Sequence, residues 1–304
     1  MKTLVLLDTH ALIHRAYHAL PKFTSKNTGE PTGALYGLSA MLLKIIRELK
    51  PDYIVAAFDR PEPTFRHDTY DGYKAKRPEA EEDLVKQLIR ARDIVEAFGI
   101  PILDAPGFEA DDVLGTIVEA LRRNPPTGGL KTIIVSGDMD VLQLVDGDRV
   151  VVFTLRKGIE DTVIYDEKKV EERYGFGPGM LPDFKGLRGD PSDNIVGVKG
   201  IGEKIATEII KNFGTLENLY QKLEEGSPAN AAGVAVGGLK EKTVQLLKEH
   251  KKDAFFSKTL ATIRRDAPVN FRFPISNFQV NKSKLKALFE ELGFASLVAR
   301  INAE

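Results

Sequence analysis

The 304-residue chain has no cysteine. Disulfides, zinc thiolates and cysteine nucleophiles are therefore excluded. Long apolar runs are absent too. The N-terminal run, Leu4 to Leu7, stops at Asp8 and is too short for a signal peptide. No stretch approaches the roughly 20 apolar residues of a membrane span. A cytoplasmic protein with no membrane partner is the expectation. Nor is there a charge bias: 43 Lys and Arg stand against 44 Asp and Glu, a formal net charge of -1. Total charge thus gives no hint of an anionic partner, and charge is informative only locally. What remains is 42% hydrophobic and 29% charged, an ordinary globular balance. The length suits one large domain, or a domain with a smaller one appended.

Short β-branched apolar runs at 3–8, 53–59, 100–105 and 132–138 predict buried strands, and 150–154 adds another. Helical patterns lie between them at 33–50 and 81–99. Strands alternating with helices imply βαβ units, an α/β class and a mostly parallel sheet flanked by helices. From about residue 167 the pattern is helices and loops. The stretch 226–238 is small and glycine-rich, which predicts a flexible loop or linker. Residues 239–263 return to helix.

One predicted helix has an unusual beginning. In "GFEADDVLGTIVEAL" (107–121), Glu109, Asp111 and Asp112 occupy three of four positions. The apolar residues Ala110, Val113, Leu114, Ile117, Val118 and Leu121 recur at helical spacing and form one buried face. Acids favour the first turn of a helix, so capping accounts for one of these carboxylates or two. Other acids extend the pattern. Asp8 ends the first predicted strand, Asp59 the second, and Asp138 and Asp140 follow the fourth. Asp190 and Asp193 occur in "GLRGDPSDN". Ligands of open α/β sheets bind outside the carboxyl ends of the strands, so these acids are expected to converge. Two bare carboxylates about 4 Å apart repel by roughly 4 kcal/mol at an effective dielectric near 20. A converging cluster needs cations, and ligands offering oxygen alone point to two or more Mg²⁺ or Mn²⁺ ions.

Between Asp59 and the helix at 81 lies "RPEPTFRHDTYDGYKAKRP" (60–78). Arg60, Arg66, Lys74, Lys76 and Arg77 alternate there with Phe65, Tyr70 and Tyr73. Cations that pair with phosphates and rings that stack on bases suit single-stranded nucleic acid. In "GVKGIGEKIATEIIKNFG" (197–214), Gly197, Gly200 and Gly202 allow a tight turn whose backbone N–H groups face a phosphate. A helix follows with its positive end there, and Lys199 and Lys204 add charge. Metal-assisted phosphodiester hydrolysis accommodates all of these features.

The motifs "LLDTHALIHRAYHAL", "AAFDRPEPTFRHDTYDGYKAKRP", "GFEADDVLGTI", "VSGDMDVLQLV" and "LRGDPSDNIVGVKGIGEKIA" cover nearly the whole chain. In order and combination they resemble the 5′-nuclease (flap endonuclease) family, nearest to the N-terminal 5′→3′ exonuclease domain of bacterial DNA polymerase I. The resemblance implies a resolvase-like, PIN-like nuclease core at 1–166 with a helical arch at about 60–82. It implies a helical subdomain at 167–304 with a helix-hairpin-helix element at about 184–214. The family's acidic positions correspond here to Asp8, Asp59, Glu109, Asp111, Asp112, Asp138, Asp140, Asp190 and Asp193, some binding metal directly and others through water. Tyr73, Lys74 and Arg77 would belong to the arch, Lys74 and Arg15 would lie near the scissile phosphate, and the hairpin would grip duplex DNA with a K⁺ ion. The implied substrate is branched or nicked DNA with a 5′ single-stranded end, cut by a monomer near the junction. A DNA polymerase is the expected partner, on the same polypeptide or in trans. Ile205 departs from the usual Thr after "GIGEK". A non-catalytic junction-binding module and a metal-dependent ribonuclease are the alternatives. The complete acidic set argues against the first, and the basic-aromatic stretch with the glycine hairpin argues against the second.

Overall fold

The computed structural model describes residues 1–155, 161–225 and 238–303; most of the predicted 226–238 linker lies outside them. The apolar run behind Asp8 forms β1 (Lys2–Asp8), buried from Leu4 to Asp8. It pairs in parallel with β2 (Tyr53–Ala57) on one side and β4 (Leu130–Val135) on the other. β3 (Ile102–Leu103), β5 (Val150–Leu155) and β6 (Thr162–Tyr165) complete a six-stranded sheet in the order β3-β2-β1-β4-β5-β6. Only β6 runs antiparallel. The sheet is therefore mostly parallel, as expected.

Side chains along a strand alternate between faces, and this divides the core in two. Leu4, Leu6, Tyr53 and Val55 belong to one apolar cluster; Val5, Leu7, Ile54 and Ala56 belong to the other. The second face is covered by α1 (Thr9–Ala19), α2 (Gly33–Leu49) and α4 (Glu82–Ala97). The first is covered by α5 (Ala110–Arg123), whose six predicted apolar residues are all buried. Each buried Val, Leu or Ile of that stripe is worth roughly 1.5–3 kcal/mol. Beyond it lie α6 (Glu167–Tyr174), α7 (Leu181–Arg188), α8 (Glu203–Phe213) and α9 (Leu216–Glu225). Then follow α10 (Glu241–Glu249), α11 (Lys251–Ala261), α12 (Lys282–Glu291) and α13 (Ala295–Ala303).

Four local expectations change. The strand at 100–105 is only Ile102–Leu103, an edge pairing that begins after Pro101, which has no N–H to give. β6 was not anticipated, although its four residues, Thr-Val-Ile-Tyr, are all strand formers. The helix at 239–263 is two helices, broken at His250, whose ring Nδ1 pairs with Asp253 Oδ2 at 2.7 Å. Within 60–82 there is one short helix, α3 (Phe65–Thr69), followed by turns. In addition, α12 and α13 return to the α2–α4 face, where the Phe289 ring meets Phe98 at 6.1 Å. Residues 167–304 thus do not all pack as one body. No helix among the described residues is long and apolar enough to cross a membrane.

The chain leaves β1 in one direction, to β2 and β3, and later crosses to β4 on the opposite side. That reversal opens a crevice at the carboxyl ends of β1 and β4.

Candidate active site

An open cleft of about 810 Å³ occupies that crevice. Seven of the nine predicted acids line it: Asp8, Asp59, Glu109, Asp111, Asp138, Asp140 and Asp190. Lys74, Arg77 and Arg15 line it too. The convergence expected from strand-end chemistry is therefore present for most of the set.

Each acid is held by its own element. Asp8 caps α1, accepting from Ala11 N–H at 3.1 Å, and takes the Ser136 hydroxyl at 2.6 Å. Ser136 Oγ in turn accepts from Asp138 N–H at 2.9 Å, which joins the ends of β1 and β4. Asp59 accepts from the first N–H of α5, Ala110, at 2.6 Å. Asp138 Oδ1 accepts from Asp140 N–H at 2.9 Å. Backbone donors thus fix three carboxylates within one cleft before any ligand arrives.

The electrostatic cost of this arrangement shows in the proton affinities. Burial, with Asp59 and Asp138 nearby, pushes Asp8 up to about 7 despite its hydrogen bonds. Burial and Asp138 also raise Asp140 to about 7, although Lys185 opposes them. Asp111 is raised well above the ordinary carboxylate range, by burial first and Asp112 next. Its Oδ1 is buried with no hydrogen-bond partner. Burial would raise Glu109 as well, but Lys74 and Arg66 override it and hold Glu109 below the usual range. Oxygen donors at this density, one of them unsatisfied, fit hard divalent cations.

Two acids stand apart. Asp112 is fully buried and points away from the cleft. It receives Arg66 Nη1 at 2.7 Å and Nη2 at 2.9 Å, Arg264 N–H at 2.8 Å and Glu109 N–H at 3.1 Å. Four donors saturate it, so it is a structural counter-ion that also closes the capping box with Glu109 at the start of α5, rather than a metal ligand. Asp193 lies at the cleft's edge, bonded to Tyr73 Oη at 3.2 Å and Arg77 Nη2 at 2.5 Å. Its oxygens still come within 4.8 Å of those of Asp140 and Asp190.

The expected DNA-contacting residues also separate. Arg66 is 2% exposed and spends its guanidinium on Asp112 and the carbonyls of Leu260 and Thr262, so it cannot meet DNA. Tyr73 is buried, its hydroxyl on Glu109 at 3.1 Å. Lys74 donates to Glu109 at 2.7 Å. Lys76 and Arg77 are exposed. The 72–74 turn is bonded to the 193–194 loop: Lys74 N–H donates to Asp193 O at 3.0 Å, and Asn194 Nδ2 donates to Gly72 O at 2.7 Å. Gly197 is internal, its N–H on Ser257 Oγ at 3.0 Å. A Cβ there would sit 2.2 Å from Gly189 N, so this glycine permits two backbones to touch instead of facing a phosphate. Lys199, Gly200, Gly202 and Lys204 are exposed at the start of α8.

Sequence reading missed His10, His14, Arg173, Tyr174, Lys185 and Arg188, all of which line the cleft. Burial, together with His10 and His18, lowers His14 to about 4. The spacing of His10 and His14, one turn apart behind Asp8, was a usable signal. Lys185, five residues before Asp190, offered none.

The chain matches two adjoining family models: "5′-3′ exonuclease, N-terminal resolvase-like domain" over residues 3–175, and "5′-3′ exonuclease, C-terminal SAM fold" over residues 176–285. DNA polymerase I of Bacillus caldotenax is 37% identical over 99% of this chain, and that of Chloroflexus aurantiacus 41% over 96%. The chain spans about a third of the length of these relatives, 32% and 29%. Among solved structures, T5 5′-exonuclease with bound divalent metal ions (zinc) superposes with a TM-score of 0.64 at 23% identity, covering 86% of this chain and 89% of that one. The bacteriophage T5 flap endonuclease in a pseudo-enzyme–product complex with DNA and metal ions gives 0.66 at 20% identity over the whole of both chains. The catalytic core of Rad2 with DNA substrate gives 0.59 at 17%, over 96% of this chain and 86% of that one. These structures share the fold. With both halves of one nuclease family matched in order along residues 3–285, the chain belongs to the 5′→3′ exonuclease family.

Proposed function

We propose that this chain is a divalent-metal-dependent 5′→3′ exonuclease and structure-specific 5′-flap endonuclease. It would hydrolyse DNA phosphodiesters near single-strand/duplex junctions, as replication and repair require. The observation that carries this reading is the cleft itself: seven carboxylates from five separate segments, including a buried Asp111 oxygen without a partner.

Asp8, Asp59, Glu109, Asp111, Asp138, Asp140, Asp190 and, at the edge, Asp193 would hold two or more Mg²⁺ or Mn²⁺ ions. Such ions supply an activated water and neutralise charge on the phosphoryl oxygens. The chain's own residues do the rest. Lys74 and Arg77, which line the cleft while paired to Glu109 and Asp193, would turn toward the phosphate and stabilise the charge that develops there. Arg15, beside Gly137 on the floor, would hold the same phosphate from the α1 side. Glu109 orients Lys74 and Tyr73 by accepting from both.

In this reading residues 1–166 carry most of the chemistry, joined by Asp190 and Asp193 of the helical remainder, which also grips the duplex through its 184–214 element. Lys199, Gly200, Gly202 and Lys204 would contact backbone phosphates there, around a K⁺ ion. A Cβ at Gly202 would meet nothing within 4 Å, so a phosphate can approach this backbone. The polymerase relatives support a DNA polymerase as partner, on the same polypeptide or in trans, and a monomeric, cytoplasmic nuclease is part of the same proposal. The test is a labelled 5′-flap duplex incubated with Mg²⁺ or with EDTA. Short products released at the junction only with Mg²⁺ are expected; EDTA-resistant cleavage would overturn the proposal.

A further inference from the structure

One carboxylate group at the cleft is already partly neutralised from within the chain. The oxygens of Asp140, Asp190 and Asp193 lie within 4.8 Å of one another, the one such group among the described residues. Lys185, on α7, places its ammonium between the first two. It donates to Asp140 Oδ1 and, at 2.5 Å, to Asp190 Oδ2. Its side chain is 13% exposed. Asp190 is fixed through its carboxylate and Asp140 through its backbone, both independently of the lysine. Asp190 Oδ1 accepts from Ser192 N–H at 3.0 Å and Ser192 Oγ at 2.6 Å, while Asp140 begins a 3₁₀ turn. The lysine therefore adapts to the carboxylates and not the reverse, since its four-carbon stem is the flexible member.

We propose that Lys185 is a built-in counter-ion for the Asp140–Asp190 pair, and that a divalent cation entering between these carboxylates must displace its ammonium. This rests on the metal reading given above. One ammonium balances one of two carboxylate charges; a divalent cation balances both, which drives the exchange. An ammonium and a divalent cation a few ångströms apart repel strongly in a cleft of reduced dielectric, so the two cannot share the position. Lys185 thereby weakens this cation site relative to the one around Asp111, and it keeps the acidic pair folded when the cation is absent.

The intact chain is tested in two ways. In the wild type, an amine-acylating reagent followed by mass spectrometry should find Lys185 protected in EDTA and severalfold more reactive at saturating Mn²⁺. In Lys185→Met, calorimetric Mn²⁺ titration should show the weaker class of sites tightened by about tenfold or more, while the tighter class is unchanged. Labelling that does not respond to Mn²⁺, or a folded variant whose weaker sites bind as before or less tightly, overturns the inference. If Lys185→Met does not fold, the wild-type labelling decides alone. Absence of Mn²⁺ binding in the wild type is a different failure, which removes the metal reading and this inference with it.

Discussion

Arg66 and Asp112 form a two-point ion pair sealed inside the protein, Nη1 to Oδ2 at 2.7 Å and Nη2 to Oδ1 at 2.9 Å, with side-chain exposures of 2% and 0%. The pair joins α3 to the first turn of α5 and, through Arg264 N–H and the carbonyls of Leu260 and Thr262, to the C-terminal end of α11 and the segment after it. Three regions distant in sequence meet at one carboxylate, immediately beneath the cleft.

Breaking one member of a buried pair strands the other charge and typically costs 3–5 kcal/mol. Arg66→Met should therefore lower urea-unfolding stability by about that much, and Asp112→Leu likewise. The double variant should be less destabilised than the two single losses summed. A loss below about 1 kcal/mol for Arg66→Met would show that the pair is not sealed.

Asp111→Asn should separate stability from activity. Its oxygen is unsatisfied and its ionisation is opposed by burial and by Asp112, so the variant should be no less stable than wild type in EDTA. Cation-dependent stabilisation of the reaction amounts to several kcal/mol, which predicts a fall in cleavage on the order of 10³-fold or more. Flap-DNA binding, measured by fluorescence anisotropy, should persist. Near-normal cleavage would remove Asp111 from the site.

The pH response of the metal-free protein follows from Asp8. Its folded value near 7 lies above the ordinary carboxylate value of about 3.9. The folded state thus binds more protons than the unfolded state between these values, and stability falls as pH rises through that window. The total is on the order of 3–4 kcal/mol. Asp140, also near 7, adds with the same sign; His14, lowered to about 4, opposes it up to pH of about 6.5. Comparing thermal unfolding of wild type with Asp8→Asn in EDTA isolates the Asp8 contribution. The stability of wild type relative to the variant should decline from pH 4 to 7 and level off above. Stabilisation by added Mg²⁺ should grow over the same range, and a pH-independent difference would refute the assignment.

Lys199 and Lys204 test the duplex grip. Lys199→Glu and Lys204→Glu should each weaken binding to flap DNA without altering the site of cleavage. Losing one phosphate contact should reduce the slope of log affinity against log salt by about 1. Unchanged slopes for both would place the duplex elsewhere.

Much was legible in the sequence because it followed from local chemistry. The run Leu4–Leu7 reads as a strand buried on both faces, and the spacing from Ala110 to Leu121 as a helix with one apolar side, and both form as read. Acids at the ends of successive parallel strands must share an edge, so the convergence of Asp8, Asp59 and Asp138 was dictated before folding. Partner choice was not local. Asp111 and Asp112 are adjacent and identical, yet one faces the cleft and the other faces Arg66, because a helix turns about 100° between them. Arg66 reads as a surface cation until the end of α11 and the residue after it deliver the two carbonyls that bury it. Lys185 became part of the site only when α7 packed against the turn that carries Asp140. Sequence by itself determined which residues could carry charge and on which sheet edge they would gather. Only the tertiary structure decided which charges neutralise one another, because an ion pair depends on separations of a few ångströms set by every element packed between its members.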